Sequence, residues 1–376
     1  MISKLVSSLF RLVFLTIIFI FLFYPDKFHI TFQYPGYPQS DSFYVRLAKT
    51  AFWFLLIVET LRMFYYGVVK SNAKGWIAHV VTVIVPLAVT LIFLEIVFMY
   101  IPQSHEGVSS KASQIWWEKY WQPVNLLGYR DREAAPEPGK MNMLFVGDSF
   151  TAGHGLKTVD ERFSDVVGAA LGDKYNVHNL GVSGADTRDE AQRLQDFPLK
   201  PQVIVLQYFP NDIEKVGREM GLSLSGASPY ADLNGSAIGL VKRFYLPNFI
   251  YWQLPHASFG TFEKFVHTAY TDTTVLNAHL RDMSKMIAYR DSTGAKMYAV
   301  FIPFLFQAEK SAGYTKPVEN YLKERGVTVI TLNSEIAAIP KKELIVGKND
   351  GHASAKLNGI IAEKLLKSMA SADQLK

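Results

Sequence analysis

The sequence predicts a three-layer α/β/α sandwich built on a parallel sheet and preceded by an α-helical transmembrane region. Three observations lead there. Apolar residues run nearly unbroken to about residue 102 and are interrupted by charges and turns afterwards, which separates a membrane region from a water-soluble one. From residue 141 onward, apolar runs of strand length alternate with amphipathic stretches of helix length, the pattern of parallel strands joined by crossover helices. Polar, glycine-containing motifs follow several of those strands, at the end of the sheet where an open parallel fold places its ligand crevice.

The membrane region reads as about three helices, at 1–102. The first, about Leu5 to Tyr24, has Lys4 and Arg11 on its N-terminal side and then "LVFLTIIFIFLFY". The following "YPDKFHIT" offers no small-x-small cleavage site, so an uncleaved anchor is expected over its rival, a signal peptide. The second, about Leu47 to Val68, contains Lys49, Glu59 and Arg62; the last two share a helix face and could pair. The third, about Trp76 to Ile101, includes Pro86 and Glu95, and a kink is tolerated inside a bundle. Lys4, Arg11, Arg62, Lys70 and Lys74 place both of their ends in the cytoplasm, with the loop from Pro25 to Ser42 opposite. A multi-pass protein results, with its N-terminus cytoplasmic and everything beyond about Pro102 periplasmic or extracellular.

Residues 103–140 read as a juxtamembrane connector, and 141–376 as the second domain. Its expected strands are 141–147, 175–181, 202–209, 296–304 and 327–333. Helices are expected near 161–171, 187–195, 276–291, 315–325 and 354–369. An insertion of about 212–275, rich in Gly, Ser and aromatic residues, is longer than a plain crossover. Its aromatics are expected either to wall or cover the crevice or to pack on the connector, whose "IWWEKYW" is aromatic too.

Composition narrows the function classes. A chain of 376 residues can bury a large core. The net charge of +5 comes without a dense basic run interleaved with aromatics, so nucleic acid is not an expected partner. The absence of cysteine excludes disulfides, thiol catalysis and thiolate-bound metals. No histidine and carboxylate set has metal-ligand spacing, and Gly147 begins neither a G-x-G-x-x-G nor a Walker motif, so no metal, nucleotide or other cofactor is expected.

Four blocks then carry the chemistry. "LFVGDSFTAGHG" (144–155) places Ser149 where a strand gives way to a helix, exposing a hydroxyl beside backbone N–H groups. "NLGVSGADT" contains Gly184, where no Cβ would obstruct an N–H approaching a reacting oxygen. "FPNDI" contains Asn211, a neutral amide donor. "NDGHASAKLNG" contains Asp350 and His352 ahead of an amphipathic helix bearing Leu357, Ile360, Ile361, Leu365 and Met369. Bland readings exist for each: a helix cap, a turn glycine, an Asx turn, a surface histidine. Asp148 is expected to accept backbone hydrogen bonds in the turn, and His154 and His178 to be loop or core residues.

Serine, glycine, asparagine and histidine in that order, each in its own block over about residues 141–370, resemble the SGNH, or GDSL-type, hydrolase family. The resemblance implies Ser149 as nucleophile, His352 as base, Asp350 as the acid beside it, and an oxyanion hole from the N–H groups of Ser149 and Gly184 and the side chain of Asn211. Family members commonly place the acid three residues before the histidine, where Asn349 stands here. Phe209 and Pro210 occupy the place where a glycine often precedes the asparagine. The implied function is a membrane-anchored serine esterase acting through an acyl-enzyme on an ester, O-acetyl above all, of a cell-envelope glycan or lipid. An O-acyltransferase moving acetyl groups to an envelope polysaccharide would use the same residues. A third reading, motivated by Glu59, Arg62 and Glu95, is a non-catalytic membrane assembly or binding protein. Expected partners are the lipid bilayer, the envelope polysaccharide or lipid substrate, and a membrane acyl-donor protein.

Overall fold

The computed structural model describes residues 2–28, 33–34, 37–41, 43–67, 76–100, 110–223, 230, 233–254, 258–348 and 350–374. The chain divides into two compact units, Met1–Gln103 with Gly235–Gln253 and Ser104–Asn234 with Leu254–Lys376.

The first unit contains three long helices, α1 (Ile2–Phe23), α2 (Phe43–Gly67) and α3 (Trp76–Tyr100), the last with Pro86 inside it. In α1 the stretch Val6–Phe23 has a mean hydropathy of 2.5, and it is long and apolar enough to cross a membrane or to act as a signal. Its Phe10, Phe14 and Ile17 are exposed. Helices α1 and α2 join through aromatic packing, with Phe52 lying 5.6 Å from Phe19 and 5.4 Å from Phe23 between ring centres. Glu59 departs from the expected pairing with Arg62. It forms an ion pair instead with Arg11 of α1 at 2.9 Å, while Arg62 lies over the Tyr66 ring; the α1–α2 contact brings a second arginine within reach that helical spacing alone does not reveal.

The insertion is shared between the units. Helices Gly235–Arg243 and Tyr245–Gln253 belong to the first. The Glu95 carboxylate of α3 accepts the N–H groups of Tyr245 at 2.6 Å and Leu246 at 2.9 Å. These are N-terminal amides without intrahelical acceptors, at the end of a helix where negative charge is favoured. Phe249 packs on Phe98 of α3 at 4.5 Å. The contact of Phe249 with α3 is one that neither expectation for the insertion's aromatics named.

In the second unit, β1 (Met141–Val146), β2 (Tyr175–Asn179), β3 (Val203–Tyr208), β4 (Lys296–Phe301) and β5 (Thr328–Thr331) form a parallel sheet in the order β2-β1-β3-β4-β5. All five begin within one residue of expectation and end one to three residues sooner, where Gly147, Gly181, Pro210, Pro303 and Asn333 lead the chain out of the ladder into loops. Side chains alternate between two cores. Leu144, Val146, Ile204 and Leu206 enter one, and Met143, Phe145, Val203 and Val205 the other. Burial on both faces is why these strands read as unbroken apolar runs. Leu194, Met283, Met286 and Leu322 cover the first face; Phe163, Val167, Leu357, Ile361 and Leu365 cover the second. Each fully buried side chain of this size contributes roughly 1.5–3 kcal/mol. The strand order reverses at β1, the switch point at which such sheets open a crevice.

The stretch expected to be a connector folds into this unit. Helix α4 (Lys111–Tyr120) is capped by Ser110, and the Asn125 side chain closes a turn by accepting from Leu127 and Tyr129. Arg130, only 1% exposed, donates to the carbonyls of Tyr120 at 2.7 Å, Gly153 at 2.7 Å and Leu156 at 3.0 Å. Its guanidinium lies over the rings of Trp116 and Trp121. The tryptophans of "IWWEKYW" therefore serve the second unit.

Candidate active site

At the end of β1, Gly147 is compelled by crowding: a Cβ there would stand 2.3 Å from Thr151 Oγ1 and 2.5 Å from Gln207 Oε1. Asp148 caps the short helix α5 (Ser149–Ala152), accepting from Phe150 N–H at 2.9 Å, as its sequence position suggests. Gln207, buried in β3, accepts from the Asp148 N–H and Thr151 N–H at 3.2 Å each and from the Thr151 hydroxyl at 2.8 Å. This clamp escaped the sequence reading. Its one signal was a polar residue inside the apolar run "VIVLQYF".

Ser149 is thereby held at the start of α5, with its Oγ 2.7 Å from His352 Nε2. His352 lies on a short strand that the expected strands did not include. β6 (Ile345–Gly347) and β7 (Asp350–Ala353) form an antiparallel hairpin that runs into the helix Ala355–Gln374. The alternation of β7 points residues 350 and 352 the same way. Asp350 Oδ1 accepts the His352 backbone N–H at 3.0 Å and also bonds its ring Nδ1. The spacing of two thus suffices for a serine–histidine–aspartate chain; Asn349 lies outside the described residues. Burial opposes charge on the His352 ring, but the Asp350 carboxylate, through its charge and hydrogen bond, and Asp148 further off raise its pKa above the ordinary value of 6.5. The ring is poised to take a proton and keep it beside a carboxylate.

Ser149, Gly184 and Asn211 follow β1, β2 and β3 respectively, so the parallel sheet delivers all three to one rim. As the first residue of α5, Ser149 has an N–H with no intrahelical acceptor. Gly184 takes φ +78° within the turn from Val182 to Ala185, with open space where its Cβ would be. Asn211 sits in a 3-10 turn, Pro210–Ile213, which Asp212 secures by accepting the Phe209 N–H at 3.0 Å. In place of a glycine, Phe209 stacks on Phe150 at 4.3 Å and meets Phe304 at 5.1 Å. Phe150 in turn packs on His352 at 5.1 Å.

Carboxyls crowd beneath this rim. Asp148, Glu190 and Asp212 are almost fully buried. Burial, then mutual repulsion, raises Glu190 and Asp212 well above the ordinary carboxyl range. Burial lifts Asp148 as well, against the pull of Phe150 N–H, the His352 charge and the Gln207 and Asn211 side chains.

His154 and His178 part company. His178 is a core residue, as expected, with Nδ1 3.4 Å from Asp131 and its ring on Phe197. His154 is not remote from the chemistry. Its ring lies 4.3 Å from that of His352 and its Nε2 3.6 Å from Asp350 Oδ2. His154, Asp350 and His352 each offer a ligand atom within 4.8 Å of the others, so the fold assembles a possible metal-binding set that no local spacing displays.

Residues 145–356 match the model of the GDSL-like lipase/acylhydrolase family. No curated protein matches the chain. Among solved structures the chain is similar to TesA, with 13% identity over 61% of this chain and 98% of that one and a TM-score of 0.39. It is similar to the psychrotrophic esterase EstA from Pseudoalteromonas sp. (12% identity, 62% and 100% covered, TM-score 0.38). A carbohydrate acetylesterase family member from Sinorhizobium meliloti is another (16% identity, 60% and 95% covered, TM-score 0.34).

Proposed function

Because this chain belongs to the GDSL-like lipase/acylhydrolase family of serine esterases, we propose that it is a membrane-anchored esterase whose nucleophile is Ser149. His352 takes the hydroxyl proton as Ser149 attacks the acyl carbon, and Asp350 stabilises the imidazolium that forms. The N–H groups of Ser149 and Gly184 and the amide of Asn211 receive the negative charge of the tetrahedral intermediate. The proton then passes to the leaving alcohol. Water, activated by the same imidazole, resolves the acyl-enzyme.

One observation carries this reading: the unbroken path from Ser149 Oγ to His352 Nε2, at 2.7 Å, and from His352 Nδ1 to Asp350. The acyl group we propose is a small one, acetyl above all. The apolar α1 and the positive residues flanking the first three helices support a multi-pass anchor with this unit outside the cytoplasm, and hence an ester of an envelope glycan or lipid. A sugar hydroxyl reaching the acyl-enzyme in place of water would make the protein an O-acetyltransferase. A membrane acyl-donor protein would then be its partner.

Fluorophosphonate labelling of the full-length protein tests the nucleophile; the label is expected on the wild type and lost in both Ser149→Ala and His352→Ala. Retained labelling in Ser149→Ala would overturn the assignment. Incubation with a chromogenic acetyl ester, with and without oligosaccharide acceptors, separates the two outcomes: free acetate alone marks an esterase, acetylated sugar a transferase. Since the chain has no cysteine, a Ser292→Cys variant reports topology through an impermeant maleimide on intact spheroplasts. Labelling only after lysis would refute the exported orientation.

A further inference from the structure

The proposed reaction leaves two groups at its centre unused. Asp350 serves His352 through Oδ1, and its second oxygen, Oδ2, faces His154 Nε2 at 3.6 Å. Two ligands on a tetrahedral zinc ion, with bonds of about 2.0–2.2 Å, stand roughly 3.4 Å apart. His154 and Asp350 are each 2% exposed, so both donors lie preset in a site shielded from bulk water. Trp116 and Trp117 pack against the His154 ring at 5.0 and 5.6 Å and hold it in place. With His352 as the third member, the set is two imidazoles and one carboxylate, which suits zinc and leaves a coordination position open.

We propose that His154, Asp350 and His352 bind Zn²⁺ and that this binding switches the esterase off. The inference rests on the proposed function for its consequence, though not for the binding itself. Both ring nitrogens of His352 are engaged, Nδ1 by Asp350 and Nε2 by Ser149. A zinc bond at Nδ1 takes the lone pair there, so the single ring proton moves to Nε2, and an Nε2–H can no longer accept the proton of Ser149. A bond at Nε2 instead removes the group that takes the serine proton. Either geometry holds the enzyme in an inactive form until the metal leaves.

Binding is measured on full-length Ser149→Ala protein by competition with a chromophoric zinc indicator. One zinc per chain is expected, with affinity lowered at least about tenfold when His154→Phe or His154→Gln is added. The aromatic variant keeps the stacking and the amide variant keeps polarity, so a loss common to both is not a packing defect. In the activity arm, wild-type acetyl-ester hydrolysis is expected to be inhibited by zinc and restored by EDTA. Each His154 variant, relative to its own metal-free rate, should need at least about ten times more zinc for half inhibition. Stoichiometric binding unaltered by both substitutions, or no saturable binding, overturns the site. If wild type hydrolyses no ester at all, the esterase reading falls while the indicator competition still decides the metal site.

Discussion

Asp350 and Gln207 act on Ser149 through intermediaries, and their substitutions should fail in different ways. Asp350 raises the His352 pKa against burial. In Asp350→Asn burial is opposed only by the more distant Asp148 charge, so the acid limb of the kcat/KM profile should move to lower pH than in the wild type, with the plateau reduced by about 10²–10⁴-fold. An acid limb that stays in place would mean that another group orients the ring. Gln207→Leu strips an acceptor from Asp148 N–H, Thr151 N–H and the Thr151 hydroxyl. Each buried donor left unpaired costs about 1–3 kcal/mol, so the thermal midpoint should fall by several degrees, and labelling of Ser149 should slow at temperatures where the protein is still folded. Ser149, His352 and Asp350 were legible because each belongs to a short block with its own strand or helix context. Gln207 and His154 were not, because their partners lie in other blocks and only the folded chain joins them.

Among the elements, Glu95 and the insertion illustrate an exchange of purpose. An acid inside an apolar helix invites a functional reading; here it satisfies the first amides of the helix Tyr245–Gln253. Removing such a cap costs about 1 kcal/mol. Glu95→Ala should therefore raise hydrogen exchange at Tyr245 and Leu246 by roughly fivefold while leaving β1–β5 unaffected, and unchanged exchange would argue against the cap. The insertion's other end, helix Ser258–Thr271, is tied to the sheet by Tyr270, whose hydroxyl meets that of Tyr208 at 2.7 Å. Strands and crossover helices were readable from apolar periodicity, since both faces of the sheet are buried. The β6–β7 hairpin was not. It is only seven residues of strand around a tight reversal, too short for any period to register.

For the second unit as a whole, the buried carboxyls set a dependence of stability on pH. The folded-state pKa of Glu190 is raised well above its ordinary value, so the unfolded chain releases that proton first. Stability is then full below the unfolded pKa and declines as pH rises towards the folded one. Within that window the decline approaches about 1.4 kcal/mol per pH unit, or about 3–5 °C in the midpoint for a domain of this size. Glu190→Gln removes the ionisation. Its midpoint should match the wild type below the ordinary carboxyl range and exceed it by a margin that grows as pH rises above that range, as followed by calorimetry; a difference that does not change with pH would place the cost in packing instead of charge.

The amino-acid sequence by itself determined the alternation of strands and helices, the strongly apolar start of the chain and the order of the four blocks, because periodicity, length and turn chemistry are local properties. Tertiary structure alone decided which arginine meets Glu59, what Glu95 caps, that "IWWEKYW" and Arg130 brace the turn after Ser149, and that His154 stands against Asp350. Such contacts join residues far apart along the chain, and a side chain of given chemistry has many eligible partners until packing leaves it one.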